Sequence, residues 1–290
     1  MMDPGSVSDL QLKTLQTLAE NGNPDAQFNL AALYEKGDKI AQNHGKAIEW
    51  YQKASNQGHV LAQYNLGVKY MRGEGTNPDH AKAVKLFRSA SEQENLEAQF
   101  NLGLMTERGQ GTDANPSKAV ELYHIAAEGG MAQAQWLLGE MHKQGHIVPK
   151  DASLAAKWFE AAANQGHPLA SYELAVLYDQ GTYLPVNKEE AYRLYTVAAK
   201  AGMVNAQYNL GSMCANGEVT KPDWNEALLW FLEAAKQGDA GAQYRVGQIY
   251  CNGLGTPRDF PQAIFWLKKS SEQGHRDART LLLACIAKAR

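Results

Sequence analysis

Small and apolar residues return along this chain every 36 residues, and the stretch AQYNLG at residues 62–67 shows the pattern clearly. The alanine that opens the stretch recurs, without insertion or deletion, at Ala26, Ala62, Ala98, Ala134, Ala170, Ala206, Ala242 and Ala278. Repetition with a period of about 20 to 50 residues is typical of a solenoid, in which each unit buries its apolar face against its neighbours. The pattern therefore predicts one elongated domain of stacked repeats.

The first half of each repeat is predicted to be a helix. With the alanine counted as position 0, the apolar residue at +4 and the frequent tyrosine at +8 place Ala62, Leu66 and Tyr70 on one helical face, which predicts a buried stripe. Glycine stands at +11 in all seven full repeats. A left-handed glycine ends a helix without a Cβ penalty, so this position predicts the helix end.

The second half of each repeat is also predicted to be a helix. Position +17 holds only residues that cap helix N-termini well: Asn43, Asp79, Asn115, Asp151, Asn187, Asp223 and Asp259. An alanine at +21 and a bulky residue at +25 predict its buried face, and a second glycine at +32 predicts its end. Repeat two has Glu94 at +32, so either Asn95 or a strained turn is expected to end that helix.

These elements predict an all-α chain. Residues 1–8 are a tail, residues 9–22 form a cap helix, and seven helix-pair repeats begin near residues 24, 60, 96, 132, 168, 204 and 240. A C-terminal cap helix follows over residues 276–290. This last helix is strongly apolar, so either it docks on repeat seven or the natural chain continues beyond it.

The repeat resembles the Sel1-like repeat, a relative of the tetratricopeptide repeat. The resemblance is carried by AxYxLGxxYxxGxG followed by DxxxAxx(W/L)FxxAAxQGH. It implies a right-handed α/α superhelical solenoid whose first helices line a concave surface. It also implies an adaptor role in protein complexes, including bacterial signalling, envelope or host-interaction complexes. A secreted subgroup carries two cysteines per repeat, a pattern that this chain lacks.

The position at +2 is aromatic in every full repeat: Phe28, Tyr64, Phe100, Trp136, Tyr172, Tyr208 and Tyr244. Helical spacing directs +2 away from the predicted core, towards the concave surface. Two interpretations stay open. Each ring packs sideways on the first helix of the next repeat, or the rings form a ladder that holds a peptide, since Tyr and Trp suit sites with one buried and one wet edge.

Amides and basic residues lie beside these rings. Asparagine occupies +3 at Asn29, Asn65, Asn101 and Asn209, and an amide can both donate to and accept from a peptide backbone. Leu137, Glu173 and Arg245 interrupt this row. Basic residues occupy +10 only in the first repeats, at Lys36, Arg72 and Arg108. They are expected either to receive carboxylates of a partner or to offset the helix dipole.

Composition narrows the classes of partner. The net charge is -3, from 28 basic and 31 acidic side chains, which disfavours nucleic acid. No apolar run reaches the length of a membrane span, and no secretory signal is visible. Three cysteines, Cys214, Cys251 and Cys285, fit a reducing compartment. We therefore expect a cytoplasmic protein that is a monomer or a weak homo-oligomer through its terminal cap.

Several motifs resemble sites of chemistry. His142 and His146 have the i, i+4 spacing of a metal site, but Gly145 ends the predicted helix between them. Glycine-rich segments such as residues 73–76 follow no strand, so they are predicted to be turns. Cys214 and Cys251 either approach each other or are separate buried thiols.

We expect no catalytic residue, metal or cofactor. The prediction is a non-enzymatic scaffold that binds a peptide or partner protein. One alternative is a cell-wall or β-lactam-related hydrolase or penicillin-binding protein, as linked to some repeat relatives. Another is a self-assembling structural protein.

Overall fold

The computed structural model describes residues 9–37 and 39–289, and within these residues all regular secondary structure is α-helical. The helices are α1 (Asp9–Glu20), α2 (Pro24–Lys36), α3 (His44–Asn56), α4 (Val60–Arg72), α5 (His80–Ser91), α6 (Leu96–Arg108), α7 (Pro116–Glu128), α8 (Ala132–Gln144), α9 (Ala152–Ala163), α10 (Pro168–Gln180), α11 (Lys188–Lys200), α12 (Val204–Asn216), α13 (Trp224–Lys236), α14 (Ala240–Asn252), α15 (Phe260–Glu272) and α16 (Arg276–Lys288).

The helices α2 to α15 form seven pairs, which we call A-helix and B-helix in chain order. The A-helices α2, α4, α6, α10, α12 and α14 pack mainly on the B-helix of their own repeat and also on the helix before them. The fold is therefore an α/α solenoid of seven repeats, with α1 and α16 as the single helices at the two ends. The chain divides into two compact units, one ending at Leu138 and the other beginning at Gly139.

Helix ends follow the predicted capping residues. The side chain at +17 caps every B-helix; for example, Asn43 accepts a hydrogen bond from the Lys46 amide at 2.9 Å. Position +32 lies beyond the B-helix, in a left-handed turn where Gly58 has a φ of 85°. In repeat two Glu94 takes that conformation, with a φ of 63°, and Asn95 caps the next A-helix. The strained-turn alternative is therefore the one found.

The core is built from small A-helix residues against bulky B-helix residues. Ala62, Leu66 and Phe87 are fully buried. A Cβ atom on Gly67 would lie 2.8 Å from Phe87 Cε1, so glycine at +5 lets the ring contact the A-helix backbone. The predicted stripe is wrong at +8, because Tyr70 is only half-buried. This ring lies in the last turn of its helix and extends to the surface.

A row of glutamines at +1 is buried, although the apolar pattern did not predict it. Gln27 Nε2 donates to the Ala19 carbonyl at 3.0 Å, and Gln27 Oε1 accepts from Gln57 Nε2 at 2.8 Å. Gln27, Gln207 and Gln243 each join their A-helix both to the preceding helix and to the residue at +31 of their own repeat. The same side-chain pair recurs as Gln63–Gln93, Gln207–Gln237 and Gln243–Gln273.

Two repeats depart from this glutamine pattern. In repeat three, Gly129 stands at +31 and Gln99 Oε1 has no hydrogen-bond partner among the described residues. A Cβ on Gly129 would lie 2.4 Å from Leu96 Cδ2, so the leucine fills the space of the missing side chain. In repeat five, Ser171 and Ala201 replace the glutamines, and the buried Ser171 Oγ also lacks a partner among those residues.

Candidate partner-binding face

The aromatic rings at +2 pack on the bulky +25 side chain of their own repeat. Ring centroids lie 6.0 Å apart for Tyr64 and Phe87 and 5.5 Å apart for Tyr208 and Phe231. Five rings share this arrangement: Phe28, Tyr64, Phe100, Tyr172 and Tyr208. These five rings thus pack on the repeat's own B-helix. Tyr208 also lies against the next A-helix, where a Cβ on Gly241 would be 3.2 Å from its ring, so the predicted sideways packing is found there as well.

Most of these rings keep one accessible edge. Tyr64, Trp136, Tyr172, Tyr208 and Tyr244 are half-buried. Phe28 is also half-buried, stacked at 4.7 Å on His59, the residue that caps the next A-helix. Tyr244 stacks on His275 in the same way. Phe100 differs, because only 8% of it is exposed, so helical spacing wrongly directed this ring towards solvent.

The amides at +3 make bonds within the array. Asn65 Nδ2 donates to the Tyr51 hydroxyl at 3.4 Å, and Asn101 Nδ2 donates to the Glu97 carbonyl at 2.9 Å. Asn29, in the first repeat, is exposed. The row therefore combines a structural role with accessible polar groups.

The basic side chains lie at the edge of this face. Lys36, Arg72 and Arg108 are exposed, and Arg72 Nη1 lies 3.3 Å from Glu74 Oε1. Arg245 Nη1 donates to Gln248 Oε1 at 3.1 Å. An internal carboxylate thus already neutralises part of the charge at Arg72.

Three tyrosine–carboxylate pairs lie on the same face, and sequence reasoning missed them. The hydroxyl at +25 donates to an acid at +9: Tyr51 to Glu35 and Tyr123 to Glu107, both at 2.7 Å, and Tyr195 to Asp179 at 3.3 Å. In repeats two, four and six, +25 is phenylalanine and +9 is Met71, Lys143 or Ala215. This alternation, with a period of two repeats, was visible in the sequence.

Two of these carboxylates, Glu35 and Asp179, form ion pairs with lysines. Lys69 Nζ lies 2.7 Å from Glu35 Oε1, and its side chain is only 3% exposed. Burial acts to raise the pKa of Glu35, but hydrogen bonds from Lys69 and Tyr51 outweigh it and leave that pKa lowered. Burial, together with the hydrogen bond to Glu35, raises the pKa of Tyr51 well above its ordinary value.

A groove opens between A-helices of the second unit. It has a volume of about 320 Å³ and is lined by Tyr172, Asn205, Tyr208, Asn209, Asp239 and Gly241. Three of these, Tyr172, Tyr208 and Asn209, are residues that the sequence predicted for a binding face. A Cβ on Gly241 would lie 3.2 Å from Tyr208 Cε2. The position of Gly241 holds leucine in repeats two and five, so its missing side chain helps to keep the groove open.

Comparison with known proteins identifies the repeat. Seven segments match the family described as Sel1 repeat, at residues 24–59, 60–95, 96–131, 132–167, 168–203, 204–239 and 240–275. The chain is a member of the Sel1-repeat family. No curated protein matches it in sequence.

Two solved structures resemble this Sel1-repeat protein closely. One is c5321, a protective antigen of uropathogenic Escherichia coli strains displaying an SLR fold, with a TM-score of 0.86 and 32% identity. The match covers 96% of this chain and 60% of the E. coli chain. The other is a Sel1 repeat protein from Oxalobacter formigenes, with a TM-score of 0.70 and 31% identity, over 97% of this chain and 82% of that chain.

The other chemical motifs occupy separate places in this Sel1-repeat protein. His142 is buried with Nδ1 3.2 Å from the Pro149 carbonyl oxygen, whereas His146 is exposed. All three cysteines are free and buried; Cys251 packs in one core cluster with Cys285, and Cys214 belongs to another.

Residues 9–37 and 39–289 contain neither a cluster of metal ligands nor a membrane-spanning helix. No group of three or more His, Cys, Asp or Glu side chains there could hold a metal ion. No helix there is long and apolar enough to cross a membrane.

Proposed function

We propose that this Sel1-repeat protein is a non-enzymatic scaffold that binds an extended segment of a partner protein on the exposed face of its A-helices. The Sel1 repeat is a fold that typically mediates protein–protein interaction. The observation that carries the proposal is the groove of about 320 Å³ in the second unit, because predicted binding residues from consecutive repeats line it together.

The chemistry of the groove suits a peptide backbone with a planar or apolar side chain. Half-buried tyrosines such as Tyr172 and Tyr208 offer a ring face to a side chain and cost little conformational entropy on binding. The amides of Asn205 and Asn209 supply both donors and acceptors for peptide groups. Rings that already pack on the core are preorganised, which lowers the entropic cost of association.

Blocking the groove tests this proposal. Gly241→Leu places in repeat seven the side chain that repeats two and five carry at this offset, and it adds a helix-favouring residue. Gly45→Leu is the matched control, since Gly45 is also the second residue of its helix and is exposed. Both variants should keep the helical circular dichroism of the wild type.

The probe is a displayed library of random 12-residue peptides, with affinities of selected peptides measured by fluorescence anisotropy. We expect the wild type to select peptides, Gly241→Leu to weaken them about tenfold or more, and Gly45→Leu to leave them unchanged. Selection of no peptide, or equal binding by Gly241→Leu, would contradict the proposal.

A further inference from the structure

The three tyrosine–carboxylate pairs form an internal series, and two members of it bind an ammonium group. Lys69 Nζ lies 2.7 Å from Glu35, and Lys188 Nζ lies 2.5 Å from Asp179. Lys188 also lies 2.7 Å from Glu218. A carboxylate that accepts a phenol hydrogen bond keeps further lone pairs, so a cation can bind without displacing the tyrosine.

The two lysines reach their carboxylates from unrelated positions. Lys69 stands at +7 of the following repeat, whereas Lys188 is the first residue of the B-helix in the same repeat as Asp179. Two different sequence positions thus supply the same chemical group to the same kind of acceptor. The common element of these two clusters is a carboxylate that accepts a tyrosine hydroxyl and still has lone pairs for a cation.

The third pair, Glu107 and Tyr123, has no such lysine in its own repeat or the next. Met141 occupies the offset of Lys69, and Pro116 occupies the offset of Lys188. Within the described residues of the first unit, the ion pairs of lysine and arginine are with other carboxylates, as in Arg72–Glu74 and Lys118–Glu121, and none involves Glu107. Arg108, its neighbour in sequence, projects about 100° away on the helix and makes no ion pair with Glu107, although its charge acts to lower the pKa of Tyr123.

Glu107 is placed where a partner would meet it. It lies at +9, seven residues and nearly two full turns after position +2, so it projects from the same side of the helix as Phe100, whose ring turns back onto Tyr123. Its side chain is half-buried and its Oε2 accepts the Tyr123 hydroxyl at 2.7 Å. Partial burial strengthens the attraction of a carboxylate for a cation relative to open water.

We propose that Glu107 and Tyr123 form a receptor for a lysine or arginine side chain of the bound partner. The inference rests on the proposed function in that it places a charged anchor on the peptide-binding face. It adds the chemistry of one partner residue, and it lies in the first unit, apart from the groove tested above.

The experiment uses the full chain with tyrosine rings labelled with ¹³C, followed by NMR. The probes are Nα-acetyl-lysine amide and Nα-acetyl-arginine amide, with Nα-acetyl-norleucine amide as the uncharged isostere of the lysine probe. We expect a saturable shift of the Tyr123 resonances with the cationic probes, at a Kd on the order of millimolar, and none with norleucine.

Two variants identify the receptor. Glu107→Gln retains an oxygen for the Tyr123 hydroxyl but removes the charge, and it should weaken the cationic probes at least about fivefold. Pro116→Lys supplies an internal ammonium from the offset that Lys188 uses, and it should block the probes while Glu107 stays in place. Glu121→Gln is the matched control, because Glu121 is an exposed acid already paired with Lys118 at 2.6 Å.

The outcomes separate this inference from the proposed function. Equal shifts with norleucine, or full binding by Glu107→Gln, would overturn the receptor while leaving the peptide groove untouched. A Tyr123 shift that Gly241→Leu leaves unchanged supports the receptor, even if the peptide library selects nothing.

Discussion

The cluster of Tyr51, Glu35 and Lys69 allows a quantitative test of how two repeats are joined. The Lys69 side chain is almost fully buried, and its ammonium group donates a hydrogen bond of 2.7 Å to Glu35. The perturbation is Glu35→Met, which removes the charge and leaves Lys69 in place. It also imports the residue that stands at this offset in repeat two, Met71.

The expected cost follows from the exposure of each partner. Breaking a buried ion pair from one side typically costs about 3–5 kcal/mol, because the remaining charge stays desolvated. The Glu35 side chain is 34% exposed and Lys69 has a second carboxylate, Glu74, at 3.9 Å. We therefore expect a smaller loss of about 2–3 kcal/mol, which for a chain of 290 residues corresponds to a fall of roughly 3–5 °C in Tm.

Completing the replacement should restore stability. Repeat two and the start of repeat three already combine Met71, Phe87 and Met105 at the three offsets. The triple variant Glu35→Met, Tyr51→Phe, Lys69→Met copies that apolar combination. Since apolar replacement of a buried ion pair is often neutral or stabilising, its Tm should lie within about 2 °C of the wild type.

The assay is thermal unfolding followed by circular dichroism, with hydrogen exchange to localise the change to α2–α4. Glu49→Met, the same substitution at an exposed position of α3, is the control and should change stability by less than about 0.5 kcal/mol. If Glu35→Met matches this control, or if the triple variant is as unstable as Glu35→Met, the three side chains are not coupled as we argue.

Two further predictions concern helix capping and the glutamine row. Burial lowers the pKa of His167, whose Nδ1 accepts a hydrogen bond from the Ala170 amide at 3.3 Å. As the pH falls, the unfolded state therefore takes up a proton at this residue before the folded state does. The stability that neutral His167 gives the fold is present above about pH 6.5 and is lost as the pH falls through the folded pKa. The wild-type Tm should therefore drop more between pH 7 and pH 5 than that of His167→Asn, and parallel pH profiles would exclude this contribution. The double variant Ser171→Gln, Ala201→Gln installs the glutamine pair that repeat five lacks, and it should raise the free energy of unfolding in urea by about 1–2 kcal/mol. If its urea midpoint is lower than that of Ala201→Gln alone, the space at residue 171 is too small for glutamine.

Much of the fold could be predicted from the sequence because its determinants are local. A capping side chain such as Asn43 acts within one helical turn, and the small residue at +5 directly faces the ring at +25. The burial of Gln63 could not be predicted in the same way. Its amide is satisfied by a residue 30 positions away, so apolar periodicity assigns it to the surface.

The candidate site was predictable only in part, for a related reason. Helical spacing placed Tyr172 and Tyr208 on the binding face, and both line the groove. The same spacing wrongly directed Phe100 to solvent, because a large ring can turn back onto the B-helix of its own repeat. Gly241 was missed because the feature that helps to open the groove is an absent side chain.

The alternation of tyrosine–carboxylate repeats with phenylalanine repeats has a consequence for how such a chain gains and loses length. Residues 35, 107 and 179 are acidic at steps of 72 residues, so a duplication or deletion of two repeats keeps unlike neighbours side by side. Loss of repeat two alone would bring the Glu35 and Glu107 repeats together and remove Lys69. A change in length by two repeats therefore preserves the alternation of tyrosine and phenylalanine at +25, whereas a change by one repeat within this part of the array breaks it.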